Sequence, residues 1–89
     1  MAEVENRNRV LILTLQHRIE GEMKVGPDGS LWDFKHRPDE KFMTVYDAQF
    51  VKLNNGQRDY DVVSVEINKD QVVALIRGDD LVFMRTEQT

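Results

Sequence analysis

The chain has 89 residues, a formal net charge of −4 and no cysteine. This length predicts one domain with a thin core, and the lack of cysteine excludes disulfides, thiolate chemistry and cysteine-bound zinc. Phosphate neutralisation supplies most non-specific nucleic-acid affinity, so we do not expect an acidic chain without a basic tract to bind DNA. The longest apolar stretch, Val10–Leu15, is too short to span a membrane, and Met1–Asn6 lacks the order of a signal peptide. We therefore expect a cytoplasmic protein of bacterial type.

The N-terminal half predicts two strands and a short helical turn. Val10–Leu15 is apolar on both faces, which is typical of a central strand that is covered on both sides. Ile19–Val25 alternates apolar or small residues with charged ones, as half-buried antiparallel strands do. Gly21, on the inward side of that strand, indicates a bend or a close backbone approach. After the turn Gly26–Gly29, Ser30–Asp33 resembles a capping box that opens a helical turn. We expect the apolar side chains of this turn to plug an open end of the β-structure, and these are Leu31, Trp32 and Phe34.

The C-terminal half predicts strands joined by tight turns. Phe42–Leu53 is a long strand that should bend near Asp47–Ala48, because the domain is too small to hold it straight. Asn54–Gly56 supplies the left-handed conformations that a hairpin requires. The elements predicted after this hairpin are the strand 57–67, the turn 68–70, the strand 71–77, the turn 78–80 and the strand 81–85.

These elements predict a mainly β fold. Short strands, hairpin turns and a single helical turn favour a small, strongly bent antiparallel β-barrel of roughly five to six strands with one short helical turn. The barrel should occupy residues 9–85, between a flexible N-terminal segment at 1–8 and a flexible tail at 86–89.

Candidate catalytic residues are scarce. A catalytic dyad needs a nucleophile next to a base, and the two histidines are His17, near a strand junction, and His36, in the helical turn. Glu20 and Glu22 are spaced so that both carboxylates share one face of a strand, which we expect to be the solvent face. A catalytic acid needs burial to raise its pKa. We therefore predict no catalytic residue, no cofactor and no enzyme.

One charged segment could approach a metal ion, since it holds Asp33, His36, Asp39 and Glu40. Metal sites usually draw their ligands from separate, rigid elements and support them with further hydrogen bonds. A solvated, charged loop is the interpretation we favour, and we predict no metal site.

Two segments resemble the Sm-like family of RNA-binding ring proteins. The first is Val10–Leu15 followed by Ile19–Met23, a strand, a turn and a second strand with an interior glycine. The second is Ile76–Val82, which is similar to the family's signature of a hydrophobic residue, Arg-Gly, two polar residues and a hydrophobic residue. The resemblance implies a barrel of Sm-like or SH3-like type. It also implies a uridine pocket formed by the Arg-Gly turn with an Asp and an Asn of the first motif, for which Asp33 is the candidate Asp.

A second resemblance is to a family of small, uncharacterised bacterial β-barrel domains. It rests on the order and spacing of Arg18–Gly21, Leu31–Phe34, Lys41–Ala48 and Val65–Val72. This resemblance implies a fold and a bacterial origin, and it brings no known activity.

The function we expect is a non-enzymatic interaction or assembly module that acts through an edge strand. Small barrels leave edge strands whose free backbone groups can pair with a neighbour. We expect a homo-oligomer or a protein partner, and the candidate contact residues on the last predicted strand are Leu81, Val82, Phe83 and Met84.

The alternative is an Sm-like protein that binds single-stranded RNA. Its candidate residues combine the Arg-Gly turn with the basic part of the helical segment, and they are Lys35, His36, Arg37, Arg77 and Gly78.

Overall fold

The computed structural model describes residues 6–78 and places them in one antiparallel sheet of five strands. The order in the sheet is β4-β3-β2-β1-β5, so β4 and β5 form its two edges. The elements are β1 (Arg7–Leu13), β2 (His17–Lys24), the helix α1 (Trp32–Lys35), β3 (Phe42–Lys52), β4 (Arg58–Asn68), a 3-10 turn (Lys69–Gln71) and β5 (Ala74–Arg77). The mainly β fold with one short helix is confirmed. Within residues 6–78, neither helical segment is long or apolar enough to cross a membrane.

Strand β1 lies inside the sheet but is covered on one face. It pairs with β2 on one side and with β5 on the other. Val10 and Ile12 are buried in the core, whereas Leu11 and Leu13 on the opposite face are only half-buried. Leu15 lies beyond the strand and is 82% exposed. The prediction of a doubly covered strand at Val10–Leu15 is therefore wrong, because two hydrogen-bonded neighbours protect the backbone without covering both faces.

A bulge lies at the predicted bend, where β2 pairs with β3, and bulges bend the strand that carries them. The register of these two strands shifts between Glu20 and Glu22, around Gly21. Opposite this shift, Asp47 adopts a left-handed φ of 51°, a conformation that Asp tolerates better than most residues. A Cβ built on Gly21 would lie 2.6 Å from Val45 Cγ1 and 3.0 Å from the Tyr46 carbonyl oxygen. Gly21 thus permits the close backbone approach that the sequence indicates.

The helical turn is confirmed, but its predicted capping box is wrong. The N-cap of α1 is Leu31, which has no side-chain capping bond. The Ser30 hydroxyl donates instead to the Asp28 carboxylate at 2.7 Å, and the Asp33 carboxylate accepts from the Thr44 amide of β3 at 2.9 Å. Of the predicted plug, Leu31 packs against the core, whereas Phe34 is 42% exposed.

The link from β4 to β5 differs from the predicted tight turn at 68–70. The Asn68 side chain accepts from the Asp70 amide and opens a 3-10 turn. The Val73 amide then donates to the Leu13 carbonyl at 2.7 Å, which directs the chain to β1. Strand β5 therefore pairs with β1 and begins at Ala74 rather than at residue 71. The turn and strand predicted at 78–80 and 81–85 lie, after Gly78, outside the described residues.

The core lies on the inner face of the bent sheet. Strands β1 to β4 all contribute to it, and its buried members are Val10, Ile12, Ile19, Met23, Met43, Val45, Ala48 and Ile67. Val65 of β4 and Leu75 of β5 pack against this same cluster, so both edge strands border one core.

Candidate functional site

The outer side of β4 is a long, open sheet edge. In the described part of the chain, this strand of 11 residues pairs only with β3. Its middle, Val62–Val65, is an uncharged and mostly β-branched run of the kind that favours strand pairing. Val63 in this run is 82% exposed. An open edge with such a run can accept another strand through its free backbone groups.

Charged residues lie on both sides of this run. Arg58, Asp59 and Asp61 precede it and Glu66 follows it. Arg58 and Asp61 approach to 3.6 Å, with both side chains more than half exposed. An exposed pair of this kind contributes little to stability. The charges at the two ends of the run therefore stay available for contacts with another molecule.

The exposed valine of this edge lies beside the left-handed residue of β3. Val62 pairs with Ala48 and packs against the core, and Ser64 pairs with Tyr46, so Val63 lies across from Asp47. The left-handed residue of β3 and the exposed residue of β4 thus share one corner of the sheet.

A groove of about 430 Å³ lies at the end of the sheet where β1 turns into β2. Leu15, Ile19, Phe50 and Val65 form its apolar walls. His17, which also lines it, has its Nε2 atom 2.9 Å from Asp59 Oδ2. This pair joins β2 to β4 across β3, close to the register shift of β4.

Aromatic rings support the His17–Asp59 pair. The Phe50 ring meets His17 and Tyr60 edge-on, with centroids 5.6 and 5.7 Å apart. The Thr14 hydroxyl accepts from the His17 amide at 3.1 Å, and the Leu53 amide donates to the Gln16 carbonyl at 3.0 Å. Nothing in this cluster is a nucleophile held against His17. These contacts connect β2, β3 and β4 at one end of the sheet, which indicates a structural role.

Several residues predicted to bind RNA meet around the turn 26–30. A Cβ built on Gly29 would lie 3.7 Å from an Arg77 guanidinium nitrogen, and one built on Gly26 would lie 3.7 Å from His36 Nε2. Lys35 donates to the Asp28 carboxylate of the same turn. Arg77 Nε is buried and meets no hydrogen-bond acceptor among residues 6–78.

The two remaining predicted residues have other contacts. Arg37 lies 3.7 Å from Glu40, and its carbonyl accepts from Lys69. Gly78 packs against Arg9, since a Cβ at Gly78 would lie 3.0 Å from the Arg9 carbonyl oxygen.

An acid in the turn offsets its positive charge. The Lys35 ammonium, followed by the hydroxyl and amide of Ser30, donates to the carboxylate of Asp28 and lowers its pKa far below the usual range. Asp28 therefore carries a negative charge at neutral pH. It opposes the binding of an anion at this turn.

The Trp32 ring is already engaged by neighbours. It stacks on His36 with centroids 4.0 Å apart, and Lys24 Nζ lies 4.3 Å from its centroid. Trp32 is therefore not an open surface for a stacked base.

The acidic and histidine residues of segment 33–40, which begins inside α1, do not form a cluster that could hold a metal ion. Asp33 holds the Thr44 amide, and His36 stacks on Trp32. Across residues 6–78, no three His, Asp or Glu side chains come together so that they could hold a metal ion.

The sequence analysis did not predict the free edge of β4 or the His17–Asp59 pair. The self-association residues that it did predict are not covered by the described structure. The free edge of β4 had a usable signal, the run Val62–Val65 in an otherwise charged strand. The His17–Asp59 pair had none, because its members lie 42 residues apart. The predicted self-association residues Leu81–Met84 lie outside the described residues.

A scan against protein-family models found no matching family, and searches of curated proteins and of solved structures found no match either.

Proposed function

We propose that the protein is a non-enzymatic assembly module that associates with a second copy of itself through the free edge of β4. The observation that carries this proposal is that, within residues 6–78, the outer edge of β4 has no partner strand and holds the uncharged run Val62–Val65 with the 82% exposed side chain of Val63. Pairing would satisfy the backbone groups of this edge and would bury Val63.

The alternative edge is less suited to this role. Strand β5 has four residues, all of them half-buried, against 11 in β4. Fewer free backbone groups and less exposed apolar area give a weaker interface. Of the two edges that the structure describes, β4 is therefore the better candidate, whereas the contact residues predicted from the sequence, Leu81–Met84, lie outside the described residues.

The fold that we propose is an Sm-like or SH3-type barrel, which is a more specific assignment than the five-stranded sheet described above. Three features support it: the strand order β4-β3-β2-β1-β5, the bend at Gly21 and Asp47, and the packing of Val65 and Leu75 from the two edge strands against one core. Among the described strands β4 does not pair with β5, so its outer side is open to strand addition.

Val63→Asp tests the proposal. A carboxylate in the middle of the paired run would have to be desolvated, so we expect light scattering to show a dimer for the native protein and a monomer for the variant. The matched control is Val73→Asp, because Val73 is 65% exposed but lies between the 3-10 turn and β5. A native monomer at the highest soluble concentration, or equal loss of dimer in both variants, would count against the proposal.

A second candidate function is the binding of single-stranded RNA at the turn 26–30. It is favoured by the meeting of Arg77, Lys35 and His36 at that turn and by the buried Nε of Arg77. Two findings oppose it. Asp33 is held by the Thr44 amide, away from any role in a uridine pocket, and Asp28 brings a negative charge to the turn.

Filter binding to oligo-uridine at low salt decides this second candidate. If it is correct, affinity falls as salt rises, and Arg77→Ala weakens binding by about tenfold. Arg18→Ala is the control, because Arg18 Nε is buried as well but lies 3.0 Å from Glu20 on β2. Binding that is absent, or that Arg77→Ala and Arg18→Ala affect equally, removes RNA from consideration.

A further inference from the structure

The tip of the β3–β4 hairpin places an exposed asparagine directly before a glycine. Asn55 and Gly56 lie in the turn between the two strands, and both are exposed. Asn55 is the only asparagine in the sequence that a glycine follows. Gly56 has a left-handed φ of 70°, and a Cβ built on it would meet nothing within 4 Å. The backbone nitrogen that follows the Asn55 carboxamide is therefore not shielded by a side chain of its own residue.

The Asn55 carboxamide is held against this stretch of backbone. Its Oδ1 atom accepts from the Gln57 amide at 2.8 Å, so the side chain forms a turn that spans the Gly56 peptide unit. A donor in this position withdraws electron density from the Asn55 Cγ atom and stabilises negative charge that develops on Oδ1. The carbonyl carbon is thus activated towards a neighbouring nucleophile.

We propose that Asn55 is a site of spontaneous deamidation. The Gly56 backbone nitrogen attacks Asn55 Cγ and gives up its proton, which closes a succinimide ring. The Cγ–Nδ2 bond breaks, and the amide nitrogen leaves as ammonia with that proton. Water then adds to either carbonyl carbon of the ring and breaks its bond to the Gly56 nitrogen, which regains a proton. The product is aspartate or isoaspartate, and no oxidant or reductant takes part.

The Gly56 amide must first leave its present partner. It donates to the Lys52 carbonyl at 2.8 Å. A backbone hydrogen bond in an exposed turn opens locally at low free energy, without unfolding of the strands that the turn connects. The reaction is therefore expected in the folded protein.

A second asparagine with the same local arrangement supplies a comparison. The Oδ1 atom of Asn68 accepts from the Asp70 amide at 2.8 Å, the distance found at Asn55. The next amide, that of Lys69, is likewise hydrogen-bonded, to the Lys41 carbonyl at 2.8 Å. This site differs in being half-buried and in carrying a side chain on the residue after the asparagine. We therefore expect Asn68 to stay intact.

Deamidation would change the hairpin in two ways. It adds a negative charge, and isoaspartate also inserts a methylene carbon into the main chain before Gly56. The hairpin is closed by the Lys52 amide, which donates to the Gln57 carbonyl at 2.9 Å. An extra main-chain atom inside this closed turn disturbs it, so we expect the isoaspartyl form to unfold at a lower urea concentration than the native protein. The inference does not depend on association through β4.

Incubation of the native protein in mildly alkaline buffer, followed by proteolysis and mass spectrometry, tests the site. Alkaline pH favours loss of the proton from the attacking nitrogen. We expect the peptide that contains Asn55 to gain the mass difference between water and ammonia, with fragmentation placing the change at Asn55 rather than at Asn54. The peptide that contains Asn68 should keep its mass.

Gly56→Ala is the matched variant, because it retains Asn55 and adds a Cβ beside the attacking nitrogen. It should lose most of the deamidated product while circular dichroism shows that the sheet is retained. The proposal is overturned if Asn55 gains no mass in the native protein, if Asn54 or Asn68 reacts as fast, or if the folded Gly56→Ala variant reacts at the native rate.

Discussion

Gly21→Ala is expected to lower the free energy of unfolding by about 3 kcal/mol, at the upper end of the range for overpacked sites. The added methyl would overlap Val45 Cγ1 at 2.6 Å and press on the Tyr46 carbonyl at 3.0 Å. Val45 is fully buried and Tyr46 O belongs to the β3 backbone, so neither can move without shifting the bend. The same loss should lower the melting temperature by roughly 15 °C.

The matched control for this substitution is Gly56→Ala. Gly56 has a left-handed φ of 70° in the β3–β4 hairpin, and a Cβ there would meet nothing within 4 Å. That variant bears backbone strain without a clash, so we expect a loss of about 1 kcal/mol. Urea unfolding followed by circular dichroism measures both changes. Equal losses of unfolding free energy for the two variants would show that the close approach of β3 to Gly21 does not limit what fits at this position.

Asp33→Ala is the second substitution with a large expected effect, a loss of about 2 kcal/mol. Asp33 is 9% exposed and accepts the Thr44 amide of β3 at 2.9 Å, so it fastens α1 to the sheet. Alanine removes a charged acceptor and leaves the amide without its partner. Lys69 adds to the same attachment, because its ammonium donates to the Asp33 and Arg37 carbonyls at 2.7 and 2.9 Å.

The attachment can be followed through the single tryptophan, Trp32, which lies in α1. Its fluorescence reports on the helix, whereas far-ultraviolet circular dichroism reports on the sheet. We expect Asp33→Ala to shift the urea midpoint of both signals, and to shift the fluorescence signal more. Asp39→Ala is the control, since Asp39 is an exposed acid in the same segment. If the two variants unfold alike, the Asp33–Thr44 bond does not stabilise the protein.

Local patterns predicted the elements whose causes are local. The alternation of Ile19–Val25 marks a half-buried strand, and the Asn54–Gly56 hairpin contains Gly56, which adopts a left-handed φ of 70° as a tight hairpin requires. Gly21 was assigned a close approach for a physical reason that the structure bears out, since no side chain fits there. These features depend on a few neighbouring residues.

Features that depend on distant residues could not be read in the same way. The pairing of β5 with β1 is set by the Val73 amide reaching Leu13, about which the turn residues carry no signal. An apolar run such as Val10–Leu15 does not indicate whether other parts of the protein cover both faces of the strand or only one. The capping box at Ser30 failed because a nearby acid, Asp28, competes for the serine hydroxyl.

The candidate site was partly predictable. An edge strand was expected, and which strand it is follows from the sheet order rather than from local sequence. The convergence of Arg77 and Lys35 on the turn 26–30 joins residues that were singled out separately. Among the described residues β5 pairs with β1 and not with β4, and this pairing, which leaves β4 at an edge, cannot be read from local sequence.

The central claim is that this chain forms a dimer through β4, and sedimentation equilibrium of the native protein tests it most directly. The measurement covers a wide range of concentrations at physiological salt. The account predicts a mass that rises with concentration to twice that of one chain and stays there. In a two-fold dimer the β4 edge of each chain is already paired, so it cannot bind a third chain. A mass of one chain at every concentration would contradict it, as would a mass that continues to grow beyond two chains.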